Sequence, residues 1–216
     1  MNPAADHHLA PLFFALLGVC FLYGALNVGV QWDLWDGVLM TALVGAGGYT
    51  LRGLGAGPRQ VAALVLPVLL VVWGEEAVAS PGLFIARHVA AAIFELVLAA
   101  RLLAAASRAS RVDMGLVLGT ASTYLLIGLI STHAFLVLNL VDPGCVRGNL
   151  THDPMATLTF YSFSALTTLG ADDLSPVSPL ARSLSVGEAL CGNLFLAIVV
   201  ARVVSMHVAD RGTPVN

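Results

Sequence analysis

Lysine is absent from this chain, and charge of either sign is scarce. Ten arginines carry all the basic side-chain charge against 13 acidic residues, for a net charge of −3. Charged residues make up 11% of the sequence, where an average soluble domain has about 25%. Hydrophobic residues make up 58%, and the mean hydropathy is +0.87. A soluble protein is excluded by this balance, and so is nucleic-acid binding, for which there is no basic patch. The arginine-only bias with abundant alanine fits a GC-rich bacterial source. Cysteine is scarce too. Three residues, Cys20, Cys145 and Cys191, are too few for a disulfide framework. Cys20 and Cys191 fall in apolar segments and read as packing residues. Cys145 lies in a polar loop and is expected to be an exposed free thiol, with a link between two subunits as the alternative. There is no Gly-rich nucleotide loop, no Cys/His metal spacing, no EF-hand loop and no nucleophile–base pair. These absences argue against an enzyme, against a cofactor and against a soluble ligand-gating domain. Residues 1–10 offer no basic residue ahead of the first apolar run, a poor start for a signal peptide.

What the chain does have is long apolar runs. A spanning helix needs about 20 mostly apolar residues. Six candidates run roughly over 9–30, 35–51, 60–74, 82–106, 113–141 and 180–208, the third short and interrupted by Pro67. Connections on one side hold Arg52, Arg59, Arg108, Arg111 and Arg211; those on the other hold Asp33, Asp36, Glu75, Glu76, Asp142, Asp153, Asp172 and Asp173. The positive-inside rule puts the arginine side in the cytoplasm. Both termini are then cytoplasmic, in a multi-pass protein of the cell membrane, most naturally the bacterial inner membrane. Arg147 and Arg182 are exceptions on the outer side, where Trp32, Trp35 and Trp73 supply an aromatic belt.

The stretch 156–169 is too short to span and rich in Ser and Thr. It reads as a re-entrant helix opened by Asp153 as N-cap and Pro154 at the first helical position. It runs into Thr167-Thr168-Leu169-Gly170-Ala171-Asp172-Asp173. Non-helical backbone is tolerated at membrane depth where it is buried in protein or lines a water-filled cavity. A ring of such backbone carbonyls can replace the hydration shell of a cation. One such element per chain means that a central pore needs several chains.

These residues resemble the potassium-channel superfamily, whose pattern is two helices flanking a pore helix and a Thr-Thr-Val-Gly-Tyr-Gly-Asp filter. Thr167, Thr168, Gly170 and Asp173 stand as in that pattern, with Leu169 for Val, Ala171 for Tyr and Asp172 for the second Gly. The likeness continues through residues 173–176 and 188–197, and covers roughly 113–208. It implies an all-α membrane protein of six transmembrane helices plus one re-entrant pore helix and filter, assembling as a homotetramer. Residues 1–111 would form a four-helix domain like a voltage sensor without its arginine repeat, and 112–216 the pore domain. The implied ion sites are the carbonyls of Thr167, Thr168, Leu169, Gly170 and Ala171 and the hydroxyl of Thr168, holding potassium or sodium. Gly192, 22 residues after Gly170, stands where the family places a hinge, and Asn193 beside it would face the cavity. The arginines of the fourth helix are scattered, so steep voltage gating is not expected.

Glycine permits positive φ at no steric cost. Asp172 at the second glycine position therefore weakens the outer filter, and Asp172 with Asp173 forms an acidic mouth suited to calcium. The expected function is a cation channel with reduced potassium selectivity. A potassium-selective channel is the alternative within the class, and a secondary transporter or non-conducting membrane subunit the alternative outside it. Glu188 is expected to support the filter, with pairing to Arg182 or exposure to outer water as alternatives. Glu95 and Arg101 are read as structural ions that pair with each other or with neighbouring helices. Arg87 is read as an interfacial snorkelling residue, and His88 and His133 as packed.

Overall fold

The structure, a computed structural model, describes residues 7–25, 32–150 and 153–211, with the side chains of 23–25, 32–35 and 207–211 outside that description. The chain is all-helical. Within these residues α1 is Leu9–Ala25, α2 Trp32–Gly53, α3 Pro58–Ala77, α4 Pro81–Arg108, α5 Met114–Val141, α6 Pro154–Leu166 and α7 Pro179–Arg211. Two two-residue strands, β1 (Val146–Arg147) and β2 (Ser175–Pro176), pair antiparallel and tie the loop before α6 to the loop after it.

The helix starts follow from local chemistry. Ser80, Asp113 and Asp153 each accept a hydrogen bond from the backbone N–H three residues on, satisfying a donor the helix itself leaves free. Proline sits at the first turn of α3, α4 and α6, where its missing N–H costs nothing. Pro67 does not end α3, which runs through it for 20 residues.

Antiparallel helices place chemistry at two ends. The starts of α2, α4 and α6 and the end of α3 meet around one cavity. The start of α1, the end of α2, the end of α4 and the start of α5 meet at the opposite end. There the Thr50 hydroxyl donates to the carbonyl of His8 at 2.7 Å. The most extensive helix pairing joins α4 to α5, and α1 also packs on α5. Leu12 and Leu16 of α1, Leu43 of α2 and Phe94, Leu98 and Leu102 of α4 are all buried in one hydrophobic cluster. On α4 the buried side recurs as Arg87, Ala91, Phe94, Glu95, Leu98 and Leu102, the three- and four-residue spacing of one helix face.

Four helices, Pro58–Ala77, Pro81–Arg108, Met114–Val141 and Pro179–Met206, are long and apolar enough to cross a membrane; Leu9–Leu22 is apolar but shorter. The chain is a membrane protein on this ground. The second sequence-derived span coincides with α2, which carries polar and charged residues at both ends and is not among the four. The connection between α4 and α5 is residues 109–113.

Candidate functional site

α6 is a wedge. Its 13 residues lie against α5 and α7, with Leu158, Ser162 and Leu166 buried. Tyr161 stacks edge-on against Phe135 of α5 and its hydroxyl lies 2.5 Å from that of Ser185 on α7. The N-cap is Asp153, as its Asp-Pro sequence leads one to expect. Phe160 alone of the three aromatics at 160–163 is exposed.

Residues 167–170 leave the helix end and are all exposed in the single chain. Thr168 N–H donates to the carbonyl of Ala165, and Gly170 N–H to that of Ser164 at 3.2 Å, so the loop first curls back on α6. Left-handed backbone appears at Thr168 (φ 58°) and Gly170 (φ 80°). Gly170 is at home there. Thr168 occupies the position after a helix that glycine usually takes, at a cost of about 1–2 kcal/mol. Asp172 keeps negative φ, so the left-handed conformation considered for it falls on Thr168 instead. Asp172 and Asp173 are exposed, and Ala171 is half-buried.

Glu188 does not reach the loop backbone. It is buried, and its Oε1 lies 2.5 Å from the Ser162 hydroxyl of α6. That hydroxyl also lies 2.7 Å from the Gly128 carbonyl of α5, while Oε2 of Glu188 has no hydrogen-bond partner among the described residues. Glu188 thus meets α6 from α7, with Ser162 in turn reaching α5. Arg182 is not its partner; its Nε donates to the Pro176 carbonyl at 3.2 Å.

Gly192 is where α7 crosses the end of α6. A Cβ placed there would come 2.7 Å from the Leu166 carbonyl oxygen and 2.7 Å from its Cδ1. The residue read as a hinge has a packing reason to be glycine. Asn193, next to it, is exposed in the chain.

The expectation about Arg87 is corrected. Arg87 does not snorkel; it is 4% exposed, paired with Asp36 of α2, with Glu75 at 2.7 Å and with Glu76 at 3.6 Å, both of α3. Asp36 and Glu75 lie 51 and 12 residues away in sequence, so no local pattern could reveal the cluster. Of the two pairings open to Glu95, the structure takes the one with a neighbouring helix: His133 of α5 lies 3.3 Å away, and Arg101 is exposed. His88 and His133 are both packed, their Nδ1 atoms 2.9 Å apart. Trp73 stays partly exposed and donates to the Thr41 hydroxyl at 3.1 Å. The Trp32 and Trp35 side chains and that of Arg211 lie outside the described residues.

Cys145 is free and buried, not exposed, because the β1–β2 pairing closes the loop over it. Burial, and then the Asp142 charge, push its thiol above the ordinary range, against partial relief from backbone hydrogen bonds. The thiolate is the reactive form, so maleimide labelling at pH 7.5 should be much slower at Cys145 than for a free thiol and should accelerate only at alkaline pH. The folded chain holds this proton more tightly than the unfolded chain does. Its contribution to stability is therefore present below the usual thiol pKa of about 8.5 and is lost as pH rises beyond it. Mass-spectrometric counting of labelled Cys145 against pH checks this.

No family model, curated protein or solved structure matches the chain.

Proposed function

We propose that the chain is one subunit of a tetrameric cation channel. It would have six membrane-crossing helices, α6 as a re-entrant pore helix and Thr167–Asp173 at the shared axis. The observation that carries this reading is the exposed loop at the tip of a buried wedge. Thr167, Thr168, Leu169 and Gly170 have no cover within the chain, and Leu169 is 73% exposed at the end of a helix otherwise sunk between neighbours. α7 supports the same reading, because large apolar residues such as Leu190, Leu194 and Ile198 stand exposed along it and provide surface for lipid and for other copies.

The electrostatics favour cations. A helix C-terminus carries a partial negative charge, and α6 points its C-terminus at the loop. Asp172 and Asp173 add up to eight carboxylates around a fourfold mouth, which attracts cations, rejects anions and binds calcium. Conduction is of monovalent cations, potassium or sodium, through sites at Thr168, Leu169 and Gly170. Selectivity for potassium is reduced, because Asp172 and Ala171 replace the residues that shape the outer filter in the family that the sequence resembles. Arg101, Arg108 and Arg111 are exposed, and Arg87 is fixed by acids, so the four-helix part has no row of movable charge and gating is not steeply voltage-dependent. The partners are three further copies and membrane lipid, and the site is the cell membrane.

Reversal potentials of reconstituted protein in paired potassium and sodium solutions test this. The wild type should reverse well short of the potassium Nernst potential, and Asp172→Gly should move reversal toward it. A wild type that already reverses at the Nernst value overturns the reduced selectivity, and sealed, silent liposomes overturn conduction.

A further inference from the structure

At the end of the bundle where α6 begins, a cavity of about 340 Å³ is lined by Asp36, Glu75, Glu76, Arg87, His88 and Asp153, among others. His88 is its innermost polar member in chemical terms, because it leads further into the protein. Its Nδ1 lies 2.9 Å from Nδ1 of His133, and Nε2 of His133 lies 3.3 Å from Oε1 of Glu95. The three residues are 3%, 1% and 1% exposed. The approach of His133 to Glu95 is a close contact without hydrogen-bond geometry: neither Glu95 oxygen nor Nε2 of His133 has a hydrogen-bond partner among the described residues. Three titratable groups thus run from a polar cavity to a buried carboxylate.

The chemistry of the line is restrictive. Two imidazoles that meet through Nδ1 can share only one proton there. Facing an ionised Glu95, His133 carries its proton on Nε2; its Nδ1 is then bare and accepts from His88. The triad has a net charge of −1 in this state. A proton arriving from the cavity at Nε2 of His88 releases the Nδ1 proton of His88 to Nδ1 of His133. His88 ends neutral as the opposite tautomer, and His133 becomes an imidazolium that donates to His88 and faces the Glu95 carboxylate 3.3 Å away. All bonds and charges balance, the His–His hydrogen bond survives with its direction reversed, and the triad becomes net neutral. An isolated charge in a low-dielectric interior is costly, and a paired one far less so.

We propose that His88, His133 and Glu95 are a proton-binding site, filled from the cavity through His88, which takes up one exchangeable proton as an imidazolium on His133 paired with Glu95. The surroundings shape it from every side. Arg87, next to His88 on α4, opposes a charge on His88 itself. Asp36 of α2 favours a positive His133. Glu75 and Glu76 of α3 offset Arg87, Asp153 ahead of α6 lines the entrance, and Cys20 of α1 lies within electrostatic reach of Glu95. His88 is the relay and His133 the store. The site goes beyond ion conduction and does not require it.

The test is nitrogen NMR of the chain labelled with ¹⁵N-histidine in lipid nanodiscs between pH 5 and 9. His88→Gln and His133→Gln assign the two rings among the six histidines. The expected result is that His133 passes from imidazolium to neutral within this range while His88 stays neutral and changes tautomer. Glu95→Gln should move the His133 midpoint down by about one pH unit or more. If a histidine variant fails to fold, the coupling across the Nδ1 hydrogen bond shared by His88 and His133 picks out the pair, and one ring of that pair must titrate and respond to Glu95→Gln. A His133 that stays neutral from pH 5 upward, or a midpoint indifferent to Glu95→Gln, overturns the proposal.

Discussion

Arg87→Ala is expected to destabilise the folded chain by about 3–5 kcal/mol, the range for removing one partner from a buried ion cluster. The size follows from the geometry. Arg87 is nearly inaccessible, and its guanidinium answers Asp36 through one nitrogen and Glu75, with Glu76 further off, through another. Without it, several carboxylates crowd one cavity with no cation among them. Arg87→Lys should recover only part of the loss, since an ammonium lacks the planar fork that reaches two acids at once. The double variant Arg87→Ala with Asp36→Asn should be more stable than Arg87→Ala alone, because it removes one of the stranded charges. Thermal unfolding of all four proteins in one detergent measures this. Equal stability of Arg87→Ala and wild type would mean that the cluster contributes nothing to the fold.

Gly192→Ala is the second large effect, and it acts at the opposite face of the wedge. The added methyl would stand 2.7 Å from the Leu166 carbonyl oxygen. That oxygen cannot withdraw freely, because the Tyr124 hydroxyl of α5 donates to it at 3.2 Å. The helices must part, at about 1–3 kcal/mol for overpacking, and the loop that starts one residue later is displaced with the end of α6. Both thermal stability and cation flux should fall. Gly187→Ala is the control on the same helix. Nothing lies within 4 Å of its Cβ, and it should leave flux intact and add about 0.5–1 kcal/mol. If the two substitutions behave alike, the α6–α7 crossing is not a tight point.

Much of the fold was legible because it is written locally. Asp153-Pro154 marks a helix start by side-chain chemistry within four residues, and apolar run length gives the long helices. What escaped depends on distant partners. Arg87 reads as interfacial in its own segment; only the packing of α2 and α3 around α4 turns it into a buried ion. Glu95 found His133 across the α4–α5 interface instead of Arg101, six positions along its own helix, which does not share its face. Cys145 is covered by strands too short for any alternating pattern. The loop itself was legible by position, since Thr167–Asp173 follows a capped short helix. Its backbone was not, for a left-handed threonine at 168 is set by how α6 ends, and composition carries no trace of that. The partner of Glu188, Ser162, comes from another helix 26 residues away in sequence, so its contact was not legible either.

The most direct measurement is a particle image of the protein in lipid nanodiscs by electron cryomicroscopy. Four copies around one axis are expected, with the residues from Thr167 to Gly170 bordering a central conduit and Asp172 and Asp173 at its entrance. A monomer, or an assembly in which that segment faces lipid and no conduit exists, would contradict the proposed channel.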